Sequence, residues 1–537
     1  MIFQIYKILR ISFFILFLVI SFYSTKFYEG SIFIYITYCL SLISMLYYLT
    51  DNKSSYFEIF FSIYLFLGFW FKYVFSLILY EGKIYDSNVA QIKSTDIDDI
   101  LTLGIWIALT LLISSFIYKT FKNKPTVQHK VNSERSFFID LYLKKRITVL
   151  ILFLFFVVLV AFLNLKLGIH QRGFLYNNNL PSIIINIIKW FLLFGFTTFS
   201  CFIIHAEVRI LKKINFFTLI IVFFEVFFSY TSMLSRSFII NSSSLILPIY
   251  QQTTKFIKKY DFKLIILFIF ILFLTLVSIF GVNNIRIEKV KIVIEEYQEL
   301  QDKNYKKSLN NDPIIEKKLN NYNFQIPEKN LENDKSSVKK DSVEIPKDNI
   351  EESVVKKFKN PIVKTKIHET SPKDVMNFIL INRWIGIDSL ILVSSSKNKG
   401  YDLFLRAFKE DKHHVDYTFY EKEFGLVDVK TNVDTGKTMM KGNTLPGIIS
   451  FLYYTGSLIF LLLSIMFIFF IFNFLESFLN YLTDRNLVFM CFISNMIATR
   501  LFHFGYAPKD SYLFLLSILL SILFLVILMR FKFRFSR

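Results

Sequence analysis

Long apolar runs separated by short polar links occupy most of the chain, and this pattern sets the elements to expect. Runs near 8–25, 31–50, 57–80, 98–118, 147–165, 183–205, 215–233, 237–252, 264–282, 447–473, 486–502 and 511–530 have about the length a helix needs to cross a bilayer. Their apolar residues are contiguous, not alternating, which excludes a transmembrane barrel; in lipid, only helices then satisfy their own backbone. The expected fold is all-α: a polytopic helical integral membrane protein of about twelve transmembrane helices with one large extracytoplasmic loop. The eighth run is short and interrupted by Asn241-Ser242-Ser243-Ser244, so a tilted or re-entrant course is the alternative to a full crossing.

One hydrophilic stretch, 282–445, interrupts the series. The chain accordingly divides into helices one to nine (1–283), a low-complexity extracytoplasmic spacer (284–372), short amphipathic helices on the outer membrane face (373–446) and helices ten to twelve (447–537). The spacer is rich in Lys, Glu, Asn, Asp and Ser, a composition that buries too little apolar surface to fold. Beyond it Val375, Phe378, Ile379, Ile381, Ile385, Leu390 and Leu392, then Leu403, Phe404 and Ala407, recur at helical spacing.

Composition agrees with the pattern: 54% of residues are hydrophobic and 18% aromatic. A net charge of +20 invites a nucleic-acid partner, but the basic residues cluster in short loops beside apolar runs, where the positive-inside rule accounts for them; no nucleic acid is expected. With the amino terminus inside, the cytoplasmic short loops collect Arg10, Lys119, Lys122, Arg146, Arg209, Lys258, Arg530 and many neighbours, whereas the opposite side is sparse. Both termini are then cytoplasmic and the long insert lies outside, since long loops cross regardless of charge. The same bias argues that the eighth run crosses. Lys7 and Arg10 before an apolar run resemble a signal sequence, but no small-residue cleavage site follows, so an uncleaved first helix is expected. Cys39, Cys201 and Cys491 all lie in apolar runs, which argues against disulfides and thiolate metal sites.

Arginines on the outer side run against the charge bias and need a reason. Arg172 stands in Ile169-His170-Gln171-Arg172-Gly173, Arg236 in Leu234-Ser235-Arg236-Ser237, Arg383 in Asn382-Arg383-Trp384-Ile385-Gly386-Ile387-Asp388, and Arg500 three residues before His503. Guanidinium groups bind phosphate or carboxylate through two parallel hydrogen bonds and keep their charge at any relevant pH. An arginine at a helix end can instead snorkel or pair with a nearby acid. That bland explanation is preferred for Arg406, beside Lys409, Glu410 and Asp411. Function is preferred for Arg172, Arg236 and Arg383, which have no adjacent acid and, at Gly173 and Gly386, a glycine close by. Asp388 and His503 are candidate catalytic bases, with His170, His413 and His414 as further imidazoles. No HExxH, aspartate triad, cysteine pair or phosphate-binding glycine loop occurs, so no catalytic metal, nucleotide hydrolysis or cofactor is expected. The tenth run opens Thr444-Leu445-Pro446-Gly447, where proline sets the helix entry and glycine allows close packing.

About twelve spans, an Arg-Gly pair after the fifth, a large outer loop between the ninth and tenth, and a Pro-Gly helix opening resemble the bacterial O-antigen (oligosaccharide repeat-unit) polymerase family. The resemblance implies glycosyl transfer at the outer face of the cytoplasmic (inner) membrane. A glycan on undecaprenyl diphosphate moves as a block onto the next lipid-linked repeat unit, with the lipid diphosphate as leaving group and no nucleotide sugar or metal. By position Arg172 corresponds to the first functional outer loop and Arg383 to the second; Arg236 shares their side and depth. Partners are then the undecaprenyl-diphosphate-linked oligosaccharide and membrane lipids, with a chain-length regulator protein as a further candidate. An O-antigen ligase, which transfers the finished glycan to lipid A core, has similar topology. A lipid-linked oligosaccharide flippase would place more charge within its spans than the few residues seen here, such as Lys189 and Glu225. A transferase using a polyprenyl-phosphate sugar normally has acids in the first outer loop, where only Glu29 is found.

Overall fold

The computed structural model describes residues 2–51, 53–80, 94–122, 136–176, 180–212, 214–235, 238–256, 262–311, 381, 384–410, 418–424, 433–434, 438–440, 445–502, 508 and 511–531. Among them nine helices are long and apolar enough to cross a membrane, and three further apolar helices, Phe216–Ser232, Ile240–Ile249 and Leu487–Phe502, are shorter. The chain is a helical multi-pass membrane protein.

In order, the first helices are α1 (Ile2–Ser24), α2 (Ile32–Leu49), α3 (Tyr56–Phe66), α4 (Lys72–Leu79), α5 (Ser94–Lys122), α6 (Phe137–Lys144) and α7 (Arg146–Leu167). Next are α8 (Ser182–Trp190), α9 (Phe196–Ala206), α10 (Phe216–Ser232), α11 (Phe238–Phe256) and α12 (Phe262–Asn311). After the insert come α13 (Ile387–Ser395), α14 (Tyr401–Phe408), α15 (Phe419–Glu423), α16 (Gly447–Leu452), α17 (Leu458–Leu482), α18 (Leu487–Phe502) and α19 (Ser511–Arg530). A π-helical turn, Leu67–Phe71, joins α3 to α4 in one continuous run, and a second, Phe191–Gly195, joins α8 to α9.

Three elements depart from the expected pattern. The run expected at 447–473 is two helices: α16 ends in a short 3-10 turn, Gly456 takes a left-handed φ of 69°, and the Ser457 side chain caps α17 anew. The ninth helix does not stop near 283 but continues to Asn311, because Val282, Ile285, Val290 and Val293 carry an apolar stripe onward at helical spacing. The fold is also not purely helical. A small antiparallel sheet of order β1-β3-β2 forms from β1 (Phe174–Tyr176), β2 (Val433–Asp434) and β3 (Thr438–Met440).

Two compact units are distinguishable, Met1–Tyr297 with Ile381–Arg537, and Gln298–Leu380; within the second only 298–311 is described, as helix. In the first unit, buried polar groups tie the apolar helices together, as lipid requires, because helices gain no hydrophobic drive from meeting one another there. Glu476 of α17 receives the first amides of α3, from Tyr56 at 3.0 Å and Phe57 at 2.8 Å, together with the Ser494 hydroxyl of α18 at 2.8 Å. A carboxylate at a helix start satisfies amides that have no partner within the helix and complements the helix dipole. Glu225 of α10 is fully buried and accepts from the hydroxyls of Thr197, Ser200 and Ser229. The eighth apolar run is an unbroken helix, α11, whose Asn241 and Ile240 receive the amide of Asn495 and whose Gln251 accepts from Tyr56. The serines that interrupt its apolar pattern are largely buried against neighbours, as Ser242 and Ser244 show.

At the end where α3, α7 and α18 begin, basic residues are matched with acids: Arg10 with Asp51 at 3.0 Å, Arg146 with Glu207, and Arg530 with Asp484 at 3.6 Å. An apolar groove of about 430 Å³ at this end, lined by residues including Arg10, Phe14, Phe17 and Tyr47, contains none of the candidate site residues. Those that are described gather at the opposite end.

Candidate functional site

The site is built on the loop that leaves α7. Gly168 closes the helix in a left-handed conformation (φ 63°), and Asn164, one turn earlier, organises the loop from within. Its amide donates to the His170 carbonyl (3.1 Å), the Ser232 carbonyl (2.9 Å) and the Ser232 hydroxyl (3.3 Å), while its oxygen accepts from the His170 amide (2.7 Å). Gln171 reaches back to the carbonyls of Asn164 and Leu165 in the last turn of α7, each at 3.2 Å. The Arg172 amide donates to Met233 at the end of α10 (2.9 Å). From the other side the extension of α12 clamps the loop: Lys289 donates to the Gln171 side chain (2.7 Å) and Arg286 to the Arg172 carbonyl (2.6 Å). Phe174, Leu234, Val282 and Val293 form a small separate core under the clamp.

The backbone of Arg172 is therefore held from two elements, α10 and α12, while its side chain is exposed. Its pKa is nevertheless pushed below the ordinary arginine value, first by burial, with Tyr230 and Tyr64 close enough to counter it. Exposure together with desolvation describes a guanidinium in a recess. It stays charged there, since arginine does not lose its proton in proteins. Tyr64 is itself fixed, donating to Asn495 (2.7 Å) and accepting from Thr499 (2.8 Å) on α18. Asn164→Ala should strand the buried groups it satisfies at about 1–3 kcal/mol each. A thermal-unfolding midpoint unchanged from wild type in detergent would show that Asn164 does not organise this loop.

The second part of the site is the stretch around Asp388. Gly68, in the π-helical turn between α3 and α4, lies directly against Ile385 and Gly386; a Cβ on either glycine would collide with backbone of the other segment. Lys72, one turn along, donates to the Trp384 carbonyl (3.0 Å) and pairs with Asp388 (2.7 Å). Ser389 donates to the carbonyls of Gly386 and Pro446 (2.7 Å each) and meets the Ser450 hydroxyl at 2.9 Å. Gly447 has φ 69°, and an added Cβ would sit 3.0 Å from both Ile385 Cγ2 and the Phe502 carbonyl. The two stretches singled out in the sequence, around Asp388 and around Pro446-Gly447, thus form one packed unit. Pairing of β1 with β3, Phe174 opposite Met440, ties the Arg172 loop to the chain just before Leu445.

Each expected site residue can now be placed. Arg172 lies in the recess. Asp388 is not a solitary carboxylate but the ion-pair partner of Lys72. Arg500 donates to the Ser511 hydroxyl (3.3 Å) and lies 5.9 Å over the Phe514 ring, bracing α18 against α19. Arg236, Arg383 and His503, like His413 and His414, lie outside the described residues. Arg406 pairs with Asp402 (3.0 Å) and Glu423 (3.8 Å), acids other than the Glu410 and Asp411 beside it in sequence. Of the three short helices described in 373–446, α13 is largely buried, and α14 buries Leu403 and Ala407 while exposing Tyr401, Leu405 and Phe408.

Lys72, Tyr64, Asn164, Arg286 and Lys289 were not anticipated. Lys72 carried a signal, because an ionisable residue inside an apolar run is a candidate functional residue by default. The others reach the site only through packing. Among the described residues no group of three or more His, Cys, Asp or Glu is placed to hold a metal ion. No protein-family model, curated protein or solved structure matches the chain.

Proposed function

We propose that the protein is a glycosyltransferase acting at the outer face of the bacterial cytoplasmic membrane, polymerising undecaprenyl-diphosphate-linked oligosaccharide repeat units into O-antigen or a related surface polysaccharide. The observation that carries this reading is Arg172, a charged guanidinium in a partly desolvated recess, its backbone held by α10 and α12. Such a group suits a leaving diphosphate. The acceptor hydroxyl oxygen bonds to the anomeric carbon, the bond from that carbon to the diphosphate breaks, and the electron pair leaves with the diphosphate. The hydroxyl proton passes to a base, for which Asp388 and His503 are the candidates. Preorganised positive charge at the departing oxygens lowers the barrier, and it does so more strongly where water is partly excluded.

The orientation argued from short-loop charges places the recess outside, on the side where lipid-linked repeat units await polymerisation. Deleting the gene in its host and resolving surface glycan on a gel tests the reading. Core capped by a single repeat unit is the expected result. Core without any glycan would point to ligation or flipping instead, and unchanged long chains would exclude all three.

A further inference from the structure

Lys72 is 8% exposed and lies within the run Tyr56–Leu79, which is long and apolar enough to cross a membrane. A lysine at such a position is costly without an anion beside it. Among the described residues its one acid is Asp388, 2.7 Å away. The pair is unlike a structural ion pair in three respects. The segment bearing Asp388 is docked by other means: the Gly68–Gly386 backbone contact, the Ser389 interactions with Pro446 and Ser450, and the Lys72 bond to the Trp384 carbonyl. The carboxylate is more exposed than the ammonium, 23% against 10%. Its second oxygen, Oδ1, is buried and takes no hydrogen bond, although a buried carboxylate that serves packing normally fills both oxygens. The segment would thus stay in place if the carboxylate swung away, and Lys72 would keep its carbonyl contact.

We infer that Lys72 is a second anion-binding group of this site, with Asp388 as its resting counter-ion, and that the diphosphate of a lipid-linked substrate displaces the Asp388 carboxylate from it. Lys72 lies about two turns, roughly 12 Å of helix, beyond Tyr64 on the same helical run, and the charge interaction between Tyr64 and Arg172 marks the same end of the bundle. A diphosphate carries more charge than one carboxylate and offers several acceptor oxygens, so it competes for an ammonium on favourable terms. In the resting state Asp388 spares the bilayer-embedded lysine an uncompensated charge and keeps singly charged anions off it. This inference rests on the proposed handling of a diphosphate, but its test does not need glycosyl transfer.

Inorganic pyrophosphate is titrated calorimetrically into the full-length protein in detergent. Asp388→Asn, which removes the competing anion and keeps the shape, should bind at least about tenfold tighter than wild type. Lys72→Gln should bind at least about tenfold more weakly. Asp388→Asn should have no effect in the Lys72→Gln background, whereas Lys72→Arg should retain the Asp388 effect. Thermal unfolding of each variant confirms that it is folded, and the charge-keeping Lys72→Arg variant carries the test if Lys72→Gln is not. A wild-type affinity in Asp388→Asn, or tightening that persists without Lys72, overturns the inference. Arg172→Ala separates the two readings. If it loses pyrophosphate while the Lys72 and Asp388 contrasts are absent, only the counter-ion exchange falls. If no variant binds, both fall.

Discussion

Under the proposed polymerase activity, Arg172→Ala is expected to yield a normally inserted, normally stable protein whose synthesis of long glycan chains falls by about 100- to 1,000-fold, the loss seen when one preorganised transition-state donor is removed. Stability should be spared because the loop is held through its backbone and through Asn164, Gln171, Arg286 and Lys289, none of which depends on the Arg172 side chain. Arg172→Lys should recover little, since an ammonium cannot offer two parallel donors to a diphosphate. Glycan length on a gel, with protein level and unfolding midpoint as controls, reads the outcome. Full-length chains from a stable Arg172→Ala protein would remove Arg172 from the site.

The second large effect is expected at a residue that touches no substrate. Gly386→Ala puts a Cβ into the Gly68 backbone, and neither chain can yield, one being in a helical run and the other pinned by Ser389 and Lys72. Overpacking of this kind costs about 1–3 kcal/mol. Here the relief available is undocking of the whole 384–389 stretch, which also releases the Lys72 pair and the Pro446 contact. Gly68→Ala should reproduce the defect, and the double variant should cost less than the sum, because both disrupt one interface. Ser389→Cys provides the readout. Its thiol should resist a membrane-impermeant maleimide in the otherwise wild-type protein, where Ser389 is 3% exposed, and react when Gly386→Ala is added. Equal labelling in both would show that the glycine contact does not dock the segment.

The helical membrane architecture was legible because lipid leaves the backbone few options, and long contiguous apolar runs therefore translate almost directly into helices. The breaks inside those runs were less legible. Gly456 interrupts an apolar stretch through a left-handed turn, and the Leu67–Phe71 π turn makes room for Ile385–Gly386; both are responses to neighbours that no local window contains. The extension of α12 was hidden for the converse reason. Its composition is more polar, and the stripe from Val282 to Val293 is only meaningful once Phe174 and Leu234 are there to cover it.

Charge behaved similarly. Arg172 stood out in the chain because an unexpected cation in a short loop is visible without coordinates, whereas the acids that Arg406 meets, Asp402 and Glu423, are not the Glu410 and Asp411 beside it in sequence. Lys72 passed unnoticed inside a span, and Asp388 looked like an unattached carboxylate, because more than three hundred residues separate them in the chain and 2.7 Å in the fold. By itself the sequence determined that the protein is a helical multi-pass membrane protein, which follows from local apolarity, and loop charge made Arg172 worth locating in the fold. Tertiary structure alone decided that the Arg172 loop, the Asp388 stretch and the Pro446-Gly447 entry are one assembly. It did so through backbone contacts and single hydroxyl and ammonium bonds, whose energies arise only when distant segments meet.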